Sequence, residues 1–127
     1  MESIWQKNMP ELDLPTLDGD KRTDILIIGG GLAGVLCAWF LDKAGADYIL
    51  AEAKTVGSGV TAGTTAKVTA QHGLLYQKLL PLWGRERAGL YLEANLRAVG
   101  QYRALCRVLG CEFLEETSYV FSRSGRD

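Results

Sequence analysis

Hydrophobic positions along the chain fall into clusters whose spacing changes from one to the next. Residues Ile25–Ile28 form a continuous apolar run rich in β-branched side chains, the pattern of a parallel strand buried on both faces. From Leu32 the spacing becomes helical: Val35, Leu36, Trp39 and Phe40 recur on one side, Asp42 and Lys43 open a polar end, and Gly45 stands where a helix stops. Residues Tyr48–Ala51 make a second short buried strand, closed by Glu52. The pattern then lapses over residues 57–66, where nearly every side chain is small. Residues 67–73 alternate briefly and end in a turn. Leu75, Leu79 and Leu82 predict a short helix broken by Pro81 and Gly84. A longer helix follows, with Ala88, Tyr91, Leu92, Asn95, Ala98, Val99, Tyr102, Leu105, Cys106 and Leu109 on one face and Gly110 as its stop. Residues 118–122 read as a final strand, and Ser124-Gly125 as a turn after it.

Chemistry enters at the junction of the first strand and the first helix. Gly29, Gly31 and Gly34 satisfy G-x-G-x-x-G, and each has its own physical task. Gly29 permits a sharp exit from the strand. Gly31 removes the Cβ that would hold a diphosphate off the backbone, and Gly34 lets the helix pack close to the strand. The first amides of that helix have no intrahelical partner and carry the positive end of its dipole, so they bind an anion without a basic side chain. Glu52 lies 23 positions beyond Gly29, near the roughly 20 expected for the acid that accepts hydrogen bonds from an adenosine ribose. Strand, glycine turn, helix, second strand and terminal carboxylate in this order indicate a dinucleotide site on an α/β, Rossmann-like βαβ unit.

The same region raises a rival reading, because residues 25–41 hold no charge over 17 positions, the short end of a membrane span of about 17–25. Three consecutive glycines and the more than twenty polar-rich residues that precede the run argue against a membrane segment. Composition agrees: 47% hydrophobic residues in 127 support one small core, and a formal charge of −1 gives no footprint for nucleic acid or an anionic membrane. Cys37, Cys106 and Cys111 form no C-x-x-C pair and have only His72 for company, so no metal site is expected. The odd cysteine count and the absence of a signal peptide lead to an expectation of the cytoplasm.

Organisation follows from these pieces. Residues 1–23 hold Trp5, Leu12, Leu14, Leu17, two prolines and a turn at Asp18-Gly19-Asp20, and form an arm that either packs on the main body or on a partner, or stays loosely ordered. Residues 24–127 make a partial FAD/NAD(P)-binding domain. No third strand follows the second, and the long small-residue loop suits an extended flavin dinucleotide better than a nicotinamide one. His72 is the one side chain with an unperturbed pKa near neutrality, yet a lone histidine beside a turn glycine is ordinarily structural. Lys67 either holds a phosphate, sits near the ring or is exposed. The arginine-rich face of the long helix reads as solvated surface.

With TDILIIGGGLAGVLCAWFLDKAG, the LAEA containing Glu52, GSGVTAGTTAKVTAQHGLLY and the YLEAN of the long helix in hand, the chain resembles the amino-terminal part of the D-amino-acid oxidase-like FAD-dependent oxidoreductases. That family includes glycine and sarcosine oxidases. The likeness is greatest to the subgroup that carries a Rieske iron–sulfur domain at its far end, and it covers the chain from Ile4 on. It implies that Gly29, Gly30, Gly31, Leu32, Ala33 and Gly34 surround the FAD diphosphate. It implies too that Glu52 and Ala53 hold the adenosine ribose, and that Val60, Thr61, Thr65, Ala66 and Lys67 approach the diphosphate or flavin. Ala66-Lys67 stands where some relatives attach flavin through a histidine, which implies a non-covalent cofactor. Family members are several times longer, so the resemblance implies a fragment that lacks the substrate domain and the start of whose missing part is the strand at 118–122. Two parallel strands alone make a poor sheet, so a homo-oligomer or a missing complementary chain is expected. The implied function is amine or amino-acid oxidation by hydride transfer to flavin, with a small-molecule substrate bound elsewhere; the alternative is a nucleotide-binding piece without turnover. Neither reading names a catalytic residue.

Overall fold

A computed structural model describes residue 10 and residues 12–121. Ile4, Trp5, Ser122 and the turn expected at Ser124-Gly125 lie outside the described residues. The chain divides into two compact units at Thr65 and Ala66.

In the first unit, strand β1 (Ile25–Ile28), helix α1 (Leu32–Lys43) and strand β2 (Tyr48–Ala51) take the bounds that the hydrophobic pattern predicts. The strands pair in parallel, Ile25 opposite Tyr48 and Ile28 opposite Ala51, as the intervening helix requires. The turn out of α1 is closed by backbone alone: the Gly45 amide donates to the Asp42 carbonyl and the Ala46 amide to the Leu41 carbonyl, with Gly45 at φ +66°. These are the paired bonds of a Schellman motif, and they aim the chain back along the sheet into β2. The turn expected in the arm is present too, with Gly19 at φ +62°.

Burial corrects the expectation for the strands. β1 was read as buried on both faces, yet Ile28 is 84% exposed and Leu26 56%, and β2, read as buried, is half-buried along its length. Trp39 and Phe40, read as core positions of α1, are 37% and 47% exposed, their rings meeting edge to face. The reason is one of layers: α1 packs on both strands, and among the described residues the two-stranded sheet has no further neighbour. Continuous apolar runs record strands that are covered in a complete sheet, whatever part of that sheet is at hand.

The second unit is built on helix α2 (Leu75–Leu109), which departs from helical geometry at Gly84, with φ +75° and ψ +167°. The expected break at Pro81 does not occur, and Pro81 stays within the helix. A proline has a helical φ of its own and forfeits one amide bond. Gly84 in its extended, positive-φ state cannot be helical at all, so the bend falls there. Leu79 and Ala88 are the buried apolar residues on either side of it, and Trp83 and Tyr76 both meet the Tyr91 ring. The segment before the helix is tied down by the Tyr76 hydroxyl, which donates to the Ala70 carbonyl at 2.7 Å. Beyond Gly110, residues 111–121 form no strand, which overturns the strand read at 118–122 over its described part. The run is instead held by single side-chain contacts: Arg103 to Glu115 at 2.6 Å, and the Lys67 ammonium donating to the Ser118 hydroxyl at 3.3 Å. A run rich in aromatic and β-branched residues makes a strand only where a neighbouring strand supplies the ladder bonds. No described helix is long and apolar enough to cross a membrane.

Candidate functional site

The site begins with the way β1 turns into α1. Gly29 leaves the strand at φ +103°, and its amide donates to the Ala51 carbonyl at 2.8 Å, extending the sheet by one bond. Gly31 is the N-cap, with extended backbone and no side chain to satisfy the helix amides. The first intrahelical bond runs from the Val35 amide to the Gly31 carbonyl at 3.0 Å, so the amides of Leu32, Ala33 and Gly34 precede it. Gly34 is the position that permits this geometry. A Cβ built there would stand 1.9 Å from the Gly29 carbonyl oxygen and 3.4 Å from Ile27 Cγ2.

The segment after β2 folds onto the turn at three points. The Gly30 amide donates to Glu52 Oε2 at 2.7 Å, the Leu32 amide to Thr61 Oγ1 at 3.0 Å, and the Gly57 amide to the Gly30 carbonyl at 2.8 Å. The second Glu52 oxygen, Oε1, accepts from the Lys54 amide at 2.8 Å. These bonds hold the Glu52 carboxyl below its ordinary value of 4.5, the Gly30 amide contributing most and the Lys54 amide next. Thr61 opens a single 3₁₀ turn, Thr61–Gly63, anchored by the buried Ala62. Its hydroxyl thus supplies from 29 residues away the cap that Gly31 cannot.

The structure brings Gly29, Gly30, Gly31, Leu32, Ala33, Gly34, Glu52 and Thr61 together. Ala53 follows Glu52 and is exposed, and Val60 is 92% exposed. Thr65 closes the first unit, whereas Ala66, at φ +55°, and Lys67 open the second. Sequence reasoning missed Val56 and Gly57. A Cβ at Gly30 would meet Val56 Cγ2 at 3.1 Å, and Gly57 bonds the Gly30 carbonyl. The signal available was the position of Gly57 at the head of the small-residue loop. In the second unit His72 is exposed and its Nε2 lies 3.2 Å from Asn95 Oδ1. The Asn95 amide nitrogen donates to the Tyr91 carbonyl, so its oxygen faces the ring as acceptor and Nε2 carries the proton. His72 therefore ties the 66–73 segment to α2, in keeping with its structural reading.

The donor set fits a dinucleotide diphosphate. Amides at a helix N-terminus converge where no Cβ intrudes, and a carboxylate stands beside them at the end of the second strand. Within the first turn of α1, the Leu32 amide has a movable side chain, the Thr61 hydroxyl, as its partner. Thr61→Val should cost about 1 kcal/mol of stability by uncapping that amide, and Thr61→Ser should restore most of it. Urea unfolding of the two variants measures the difference.

Comparisons with known proteins identify the family. The model of the FAD-dependent oxidoreductase family matches residues 24–127. A Bacillus subtilis protein, YhfW, named as a Rieske 2Fe-2S iron–sulfur protein, is 37% identical over 123 residues. The match covers 95% of this chain and 24% of that protein, so the chain spans about a quarter of the relative's length. This likeness agrees with the Rieske-bearing subgroup to which the sequence motifs led. No solved structure matches the chain with significance. Both the family match and the glycine turn with its glutamate lead to one conclusion: the chain belongs to the FAD-dependent oxidoreductases, a family whose cofactor is FAD.

Proposed function

We propose that this chain supplies the adenosine-diphosphate end of a non-covalent FAD site in an oxidoreductase acting on an amine or amino acid. The observation that carries the reading is the Gly34 contact. A β–α turn that excludes even a methyl group brings the first amides of α1 to the end of β1, where a diphosphate is held by backbone alone. Gly29 to Gly34 would bind the diphosphate, Glu52 and Ala53 the adenosine ribose, and Val60, Thr61, Thr65, Ala66 and Lys67 are the residues assigned to its flavin side. The chemistry that FAD supplies when bound is acceptance of a hydride from a carbon next to nitrogen; this chain's residues bind and orient. The substrate class rests on the family resemblance. Substrate-holding and proton-moving groups are assigned to other parts of the longer protein, as are the elements that would cover Ile28 and Leu26.

The test is the visible spectrum of the purified protein before and after excess FAD and desalting. A retained flavin spectrum is expected, and it would make amine-oxidation assays the next step. A protein that stays colourless would overturn the reading of a working FAD site. The second reading, a nucleotide-binding piece without turnover, is favoured by the concentration of the donor set at the adenosine-diphosphate end. Under it ADP competes with FAD at equal affinity, because the flavin ring adds nothing to binding.

A further inference from the structure

The arm before β1 carries an apolar cluster that the proposed site leaves unused. Within the first unit it faces β2 and the segment after it across an open cleft of about 1140 Å³. One wall is the arm, with Leu12, Leu14, Pro15 and Leu17; the other runs from Ile49 along β2 through Glu52 to Val56 and Ser58. Leu12, Leu14 and Leu17 are all more than half exposed, three large apolar side chains gathered at one rim. The arm lies outside the family match, which begins at residue 24, whereas the alignment to the Bacillus relative covers 95% of the chain and so takes in most of the arm. It is thus shared with that relative and is no general part of the family domain.

We infer that the arm forms the outer wall of the adenosine pocket and packs its leucines against the purine ring of the dinucleotide. The inference rests on the FAD reading above. Three features of the cleft select this occupant. Its floor includes Glu52, whose carboxylate also accepts from the Gly30 amide, so the cleft adjoins the turn assigned to the diphosphate. It runs along β2 to the strand's carboxyl end, the end of a βαβ unit that takes the adenosine half. Its lining sets the apolar side chains of the arm opposite the Glu52 carboxylate, with Lys21, Lys54 and Thr55 as the polar groups beside them, a mixture that suits a flat heteroaromatic ring carrying a hydroxylated sugar. Pro10 and Pro15 fix the arm's backbone at two points, which lowers the entropy lost when it orders on a ligand.

Lys21-Arg22 at the end of the arm are two trypsin sites that report its state in the unaltered chain. FAD and ADP should slow cleavage there severalfold, and FMN, which has no adenosine, should leave the rate unchanged. In parallel, the double variant Leu14→Gln with Leu17→Gln should weaken both FAD and ADP about tenfold, the scale of removing one or two apolar contacts. Cleavage that ADP does not slow, in a protein that binds ADP, would overturn the arm's role and leave the FAD reading standing. A wild-type protein that binds neither FAD nor ADP would overturn both.

Discussion

Replacing Gly34 by alanine should abolish FAD and ADP binding and destabilise the first unit by about 3 kcal/mol or more, the upper range for overpacking a rigid contact. The added carbon would fall 1.9 Å from the Gly29 carbonyl oxygen, a backbone atom, and a Cβ has no torsion of its own to turn, so no rotamer change relieves the overlap. Relief must come from α1 moving off β1. That movement acts on the turn at its root, because Gly29 is fixed on the other side by its bond to the Ala51 carbonyl. The amides of Leu32, Ala33 and Gly34 would then no longer converge. Gly31→Ala makes a sharp contrast. Its methyl would meet only Thr61 Oγ1 at 3.2 Å, a side-chain atom able to rotate away. Gly31→Ala should therefore melt within a few degrees of wild type yet lose affinity, since its Cβ stands where a diphosphate approaches. Thermal melts and FAD titrations of the two variants separate the roles. Wild-type affinity in Gly34→Ala would show that ligand binding does not use this turn.

The contrast also explains what could be read from the sequence. Turn geometry is local chemistry, and the glycines announced it: the exit at Gly29, the close approach at Gly34 and the left-handed residue at Gly45 all stand where spacing put them. Element bounds followed, because an apolar run, a helical period and a second apolar run of these lengths admit one order of strand, helix and strand. Burial was not legible. Hydrophobicity states that Ile28 and Leu26 are to be covered, but not by what, and their exposure here is a property of neighbours rather than of the strand. The same limit undid the strand at 118–122, whose aromatic and β-branched run has no partner strand among the described residues. Of the two breaks read at Pro81 and Gly84 only the one at Gly84 occurs, since a lost amide bond is tolerable within a helix and a positive, extended backbone is not. In the site, counting from Gly29 found Glu52, yet its bond to the Gly30 amide depends on the end of β2 meeting the turn, a tertiary fact that no spacing encodes. Thr61 was reached through family resemblance alone; the bond that gives it a physical task crosses 29 positions of chain.

Glu52→Ala should weaken FAD and ADP by about ten- to a hundredfold, the range for leaving hydrogen-bonding groups without partners. Two amides, those of Gly30 and Lys54, lose their acceptor at once, and the ribose hydroxyls assigned to this carboxylate lose theirs. Glu52→Gln should fall between, because its one carbonyl oxygen serves either amide while its NH₂ group opposes the other. The pH dependence distinguishes whether the carboxylate acts on the ligand or through the turn. Its folded pKa lies below the ordinary 4.5, so its contribution is complete above that value and disappears as pH falls through the lower, folded one. Stability without ligand should therefore drop in that acid window for wild type, and both variants should flatten the drop. If Glu52→Ala loses FAD affinity while its ligand-free stability and acid profile match wild type, the carboxylate works by direct contact with the ribose. If affinity, stability and the acid limb change together, it works by holding Gly30 in place, and the site is organised before any dinucleotide arrives. Unchanged affinity in both variants would remove Glu52 from the site.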